Sequence, residues 1–91
     1  MLPLALVAYR VEFLPKAEKQ LEKLDRQVAA RLVTAAEKLA DNPRPAGCKK
    51  LQGRAGYRIR VGDYRVIYEV NDSAVVVIVL ELGHRREVYD R

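Results

Sequence analysis

The sequence predicts an α+β fold: a β-α-α-β-β-β chain in which a helical hairpin packs on one face of a small, mainly antiparallel twisted sheet. Three stretches predict it. Residues 15–39 repeat apolar side chains at helical spacing with one interruption at Asp25; residues 57–70 alternate faces about a central Gly62-Asp63; and residues 74–82 are an almost unbroken run of Val, Ile and Leu. At 91 residues the chain is long enough for one hydrophobic core and too short for two, so residues 1–91 are expected to form a single domain.

The elements follow in chain order. The opening residues 1–7 are apolar but lack a basic n-region and a small-residue cleavage site, which argues against a signal peptide; a flexible or strand-extending leader is expected. Residues 8–14 read as a strand, with Tyr9, Val11 and Phe13 alternating against Arg10 and Glu12. Pro15 suits the first turn of a helix, where its missing N–H would have no partner anyway. Ala17, Leu21 and Leu24 then form one buried stripe. Asp25 is the expected N-cap of a second helix whose stripe is Val28, Leu32, Ala35, Ala36 and Leu39, and Asp41-Asn42-Pro43 stops it.

Residues 43–56 carry two prolines and three glycines and are expected to be a loop, tacked to the core by Leu51. The next two strands are joined by Gly62-Asp63, with Gly at the first central position supplying the positive φ of a type II′ turn. Period-two alternation puts Arg58 and Arg60 on one face and Ile59 and Val61 on the other. On the return strand Tyr64, Val66 and Tyr68 share the apolar face, and Arg65 lies opposite them. Asn71-Asp72-Ser73 makes a second turn. The following run is apolar enough to be covered on both faces, which predicts a strand in the middle of the sheet ending at Gly83. Residues 84–91 are expected to form a short helical turn that brings Arg85 or Arg86, with Tyr89, to the end of the sheet.

Charge narrows the function. The formal net charge is +5. Residues 49–65 account for all of it, through Lys49, Lys50, Arg54, Arg58, Arg60 and Arg65 against Asp63 alone. Three guanidinium groups on one side of a hairpin repel each other unless an anionic ligand neutralises them, so a focused polyanion site, nucleic acid above all, is expected. Cys48 is the only cysteine, which leaves no disulfide framework and no thiolate metal site. No cofactor, metal or membrane contact is expected, and a reducing cytoplasm is the simplest location.

Several motifs now fall in order: the helical hairpin ending in Asn42-Pro43, then Lys49-Lys-Leu-Gln-Gly53, then Tyr57-Arg-Ile-Arg-Val-Gly-Asp-Tyr-Arg-Val-Ile-Tyr68, and last Gly83-His-Arg-Arg-Glu-Val-Tyr89. In this order and spacing, from about Tyr9 to Tyr89, the chain resembles the RelE/ParE superfamily of toxin–antitoxin toxins. The resemblance implies a RelE-type endoribonuclease that cuts messenger RNA in the ribosomal A site. It carries the catalytic set to Arg58, Arg60 and Arg65 on the hairpin with Arg85 and Tyr89 in the tail. His84 joins them as a tail histidine, a residue type suited to proton transfer. RelE toxins carry lysines where this chain has Arg58 and Arg60; arginine grips phosphate bidentately but is a poor proton acceptor. Glu12, Glu69 and Glu81 are expected to offset basic neighbours, and Glu81, near the tail, is a base candidate of last resort. Lys49, Lys50, Arg54 and Arg86 are expected to contact RNA phosphates.

The same resemblance implies partners: a cognate RelB-type antitoxin, the ribosome and messenger RNA, and operator DNA only through the antitoxin. Two alternatives stand beside it. One is a ParE-like gyrase inhibitor; the other is a degenerate, non-toxic member that binds nucleic acid or serves as a complex subunit.

Overall fold

The computed structural model describes residues 8–84 and 86. The expected leader and the tail residues Arg85 and Tyr89 lie outside them. The elements are β1 (Arg10–Phe13), α1 (Pro15–Glu22), α2 (Arg26–Lys38), β2 (Lys49–Lys50), β3 (Tyr57–Val61), β4 (Tyr64–Asn71) and β5 (Val76–His84). They form one five-stranded sheet in the order β1-β5-β4-β3-β2, with β1 parallel to β5 and every other pair antiparallel.

The helical hairpin forms for the reasons its sequence gives. Pro15 occupies the first turn of α1, and the Asp25 carboxylate accepts from the Gln27 N–H (3.1 Å) to cap α2. Ala17, Leu32, Ala36 and Leu39 are buried against Val66, Tyr68, Val77, Val79 and Leu82 of the sheet. α1 also closes a sheet edge. Beyond Val79 strand β5 has no β1 neighbour, and the Gln20 side-chain oxygen accepts from the Leu82 N–H (2.8 Å) in its place.

Three expectations change. The 43–56 segment is not wholly loop, because Lys49 and Lys50 pair with Arg58 and Tyr57 as a two-residue edge strand. The apolar run forms β5 inside the sheet between β1 and β4, but β4 takes the centre. Among the described residues helices cover one face only, and on the other Ile78 and Leu80 are half-buried. Gly83 does not end β5, which runs on to His84. Leu51 does anchor its loop, on that second face, in a small cluster with Ile67 and Leu80.

Candidate functional site

The central hairpin turns on Gly62 at φ +61 while Asp63 keeps a negative φ, the pattern of the expected type II′ turn. That turn fixes the register, and in an antiparallel pair residues directly opposite share a face. Tyr57, Ile59 and Val61 lie opposite Tyr68, Val66 and Tyr64 and face the helices. Arg60 lies opposite Arg65, and Arg58 opposite Ile67, on the face the helices leave open. Lys49 lies opposite Arg58 and joins that face, whereas Lys50 lies opposite Tyr57 and does not. The three arginines differ in depth: Arg58 is only 5 % exposed, Arg65 is half-buried and Arg60 is exposed. Desolvation strengthens whatever charge a buried guanidinium meets, so Arg58 and Arg65 form the deep end of the face and Arg60 its rim.

A β-bulge decides what completes the face. Ile67 pairs with Glu81 and Tyr68 with Val79, so Leu80 has no partner on β4. The extra residue reverses the alternation of β5. Before it Val77 and Val79 point into the main core; after it Leu82 does. Strict alternation from Val79 would have driven Glu81 under the helices. The bulge instead delivers it to the open face, where it is 14 % exposed with Lys16 Nζ and Arg54 Nη1 each 3.5 Å from one of its oxygens. Glu81 thus offsets bases, as expected, and ties the 51–56 loop to α1 across the arginine face. Gly83 lies directly opposite Arg65 and adds no side chain there.

The same phase change carries His84 away. Its ring packs edge-on against Tyr64, with centroids 5.5 Å apart, and Tyr64 lies on the helix side of the sheet. Its Nδ1 accepts from the Arg86 N–H at 3.2 Å. The structure therefore brings together Arg58, Arg60 and Arg65 with Lys49, Arg54 and Glu81, but not His84. Arg86 is exposed at the end of β5. Glu12 pairs with Arg10 at 2.7 Å on β1, far from this face in the strand order.

One group was not legible in the sequence. Arg44 meets Asp72 through two hydrogen bonds (2.8 and 3.2 Å) and the Tyr57 hydroxyl through its Nε (2.9 Å), while Tyr9 donates to Asp72 (2.7 Å). The Arg44 guanidinium, and then the Tyr9 hydroxyl, hold the Asp72 carboxyl below the usual carboxylate range; the bond to Asp72 in turn raises Tyr9. Burial pushes the neighbouring Tyr68 hydroxyl well up, and it donates to the Pro43 carbonyl at 2.7 Å. These groups pin β1, the segment after α2 and the β4–β5 turn together at the end of the sheet opposite Gly62. Sequence separations of 28 and 63 residues gave no local signal for them.

The arrangement has known relatives. Toxin RelG of Mycobacterium tuberculosis is 32 % identical over 85 residues, covering 91 % of this chain and 98 % of RelG. The mRNA interferase toxin RelE of Escherichia coli K12 is 33 % identical over 88 residues, covering 91 % and 92 %. Among solved structures, a chain of the RelBE2 toxin–antitoxin complex of M. tuberculosis superposes with a TM-score of 0.79 at 32 % identity, covering 88 % of this chain and 94 % of that one. Residues 11–89 match the family described as the ParE toxin of the type II toxin–antitoxin system, parDE. The chain therefore belongs to the RelE/ParE family of type II toxin–antitoxin toxins.

Proposed function

We propose that this toxin is a ribosome-dependent endoribonuclease that cleaves messenger RNA in the A site without a metal, and that a RelB-type antitoxin silences it. The observation that carries the proposal is the face shared by Arg58, Arg60 and Arg65, opened toward a residue without a side chain at Gly83. In the reaction the ribose 2′-oxygen attacks the adjacent phosphorus, the 2′-O–P bond forms, the P–O5′ bond breaks, and a cyclic phosphate and a free 5′-hydroxyl result. The 2′-hydroxyl gives up a proton and the 5′-oxygen gains one. Guanidinium forks match the phosphate oxygens and stabilise the extra negative charge of the phosphorane, which is where most of the barrier lowering arises. Arg65 and Arg58, being sunken, act with the least screening; exposed Arg60 grips the strand.

Arginine does not accept the 2′-proton. Of the side chains able to do so, Glu81 shares the arginine face and His84 packs against Tyr64 on the other. Support for the nuclease reading over simple binding comes from the relatives named as mRNA interferases, and support for the antitoxin partner from the RelBE2 complex. Operator DNA is met only through that antitoxin.

The test is induction without antitoxin, followed by mapping of transcript ends on ribosomes. Cuts in the A-site codon are expected with the wild-type chain and are lost with Arg65→Ala. The family description names ParE, so a gyrase-inhibiting reading is the competitor. Relaxed plasmid and a DNA-damage response with intact transcripts select it instead.

A further inference from the structure

The arginine face continues past the hairpin. Strand register puts Arg60, Arg65 and Gly83 in one row across β3, β4 and β5, and Arg58, Ile67 and Glu81 in the next. Two residues along each strand separate the rows, a distance of about 7 Å. At the β5 end of the second row the Glu81 carboxylate spans two cations that come from elsewhere in the chain. Lys16 Nζ, from the first turn of α1, lies 3.5 Å from Oε1, and Arg54 Nη1, from the 51–56 loop, lies 3.5 Å from Oε2. The carboxylate side chain is sunken at 14 % exposure, while the Lys16 and Arg54 side chains are 64 % and 39 % exposed. Both contacts are longer than the roughly 2.7–2.9 Å of a close charge-assisted hydrogen bond, so neither cation is tightly committed to Glu81.

We infer that Lys16 and Arg54 form a second phosphate subsite of the RNA face, and that the Glu81 carboxylate is its resident stand-in anion, displaced when a strand binds. The inference rests on the reading of the arginine face as an RNA site, and it adds Lys16, on a helix the sequence gives no reason to join to that site. A phosphodiester, like a carboxylate, spreads one negative charge over two oxygens, so it takes over both cations with one group. The exchange costs little: ion pairs between exposed side chains are worth about 0–1 kcal/mol, and a guanidinium on phosphate makes a shorter, stronger pair than the one it leaves. The row spacing supplies the register. With the scissile phosphate held at Arg65 and Arg60, opposite Gly83, the neighbouring phosphate of the same strand lies one row along, at Lys16 and Arg54. Glu81 makes that second contact conditional. It cancels one of the two charges that a passing anion would meet, and only a strand already anchored at the arginines brings its next phosphate there at high effective concentration. The subsite thus favours a continuing strand over a lone anion.

The experiment uses the full chain and three short RNA probes whose 2′-hydroxyls are methylated so that none is cut: a dinucleotide with one phosphodiester, a trinucleotide with two, and the same trinucleotide with one linkage replaced by an uncharged methylphosphonate. Affinity and amide chemical shifts are read by titration, and the thermal midpoint of every variant is checked to show that it folds. The trinucleotide is expected to bind about five- to tenfold tighter than the dinucleotide and to shift resonances of Lys16, Arg54 and Glu81; the methylphosphonate loses that gain. In the double variant Lys16→Gln, Arg54→Gln the gain disappears while dinucleotide binding is kept. In Glu81→Gln the gain grows, because nothing competes with the second phosphate. A gain that survives the double variant, trinucleotide shifts that spare Lys16, Arg54 and Glu81, or a Glu81→Gln chain that binds the trinucleotide more weakly than the wild type, as a carboxylate that merely orients the two cations would require, would each overturn the assignment. The probes are never cleaved, so a working subsite alongside uncut transcripts defeats only the nuclease reading, and ribosomal cleavage without a second-phosphate gain defeats only the subsite.

Discussion

Replacing Gly56 by alanine tests the loop that crosses the arginine face. Gly56 sits at φ +115, and an ideal Cβ there stands 2.7 Å from the backbone oxygen of Tyr68, with Glu69 and Leu51 side-chain atoms at 3.4 and 3.5 Å. The carbonyl belongs to a fully buried residue at the centre of the sheet and cannot rotate away. A positive φ costs an alanine about 1–2 kcal/mol, and the backbone shift needed to relieve the clash costs about 1–3 kcal/mol more. Lower entropy of the unfolded chain returns about 0.4–1 kcal/mol. The net expectation is a loss of about 2–3 kcal/mol, or about 10–20 °C in Tm for a domain of this size. The Gly56 carbonyl also accepts the Leu51 N–H (3.0 Å), which closes the loop, seats Leu51 beside Ile67 and brings Arg54 to Glu81. Growth arrest on induction should therefore weaken along with stability. Gly53→Ala is the control: φ there is +76 but nothing lies within 4 Å of the added methyl, so only the backbone preference, about 1 kcal/mol, is lost. Urea denaturation of both variants decides. If Gly56→Ala loses no more than Gly53→Ala, the close approach to Tyr68 is not what fixes this loop.

Further outcomes follow from the rest of the structure. Tyr68→Phe removes the buried donor to the Pro43 carbonyl and should cost about 1–2 kcal/mol in urea unfolding; a neutral result would mean that another donor reaches that carbonyl. Val75 is a β-branched residue at φ +57, so Val75→Asn should stabilise by about 1 kcal/mol in the same assay, since its carbonyl still accepts from the Arg10 N–H, and a loss would show that the Val75 side chain matters more than its backbone. Asp72 has its folded pKa held below the unfolded value, so its contribution is present above the unfolded value and fades as pH falls through the folded one; Asp72→Asn should flatten the acid limb of the stability profile, and an unchanged acid limb would refute the pairing with Arg44 and Tyr9. Arg60→Ala, at an exposed rim position, should abolish or sharply reduce transcript cleavage with little change in Tm, and a fully toxic variant would remove Arg60 from the site.

Much of this protein was legible locally. The single interruption at Asp25 gave two helices, Pro15 and Asp25 gave their starts, and Gly62-Asp63 gave a two-residue turn whose register puts Arg58, Arg60 and Arg65 on one face. Those features depend on interactions within a few residues, which the order of side chains encodes directly. The tertiary structure decided three other things. It opened a bulge at Leu80, which turned Glu81 onto the arginine face and His84 off it. It sank Arg58 while leaving Arg60 on the rim. It also drew Arg44 to Asp72 and Tyr57 across the end of the sheet. The apolar run of β5 has the same composition whichever way its phase falls; only packing Val79 and Leu82 together into one core, with α1 closing the edge between them, selects the phase that is found.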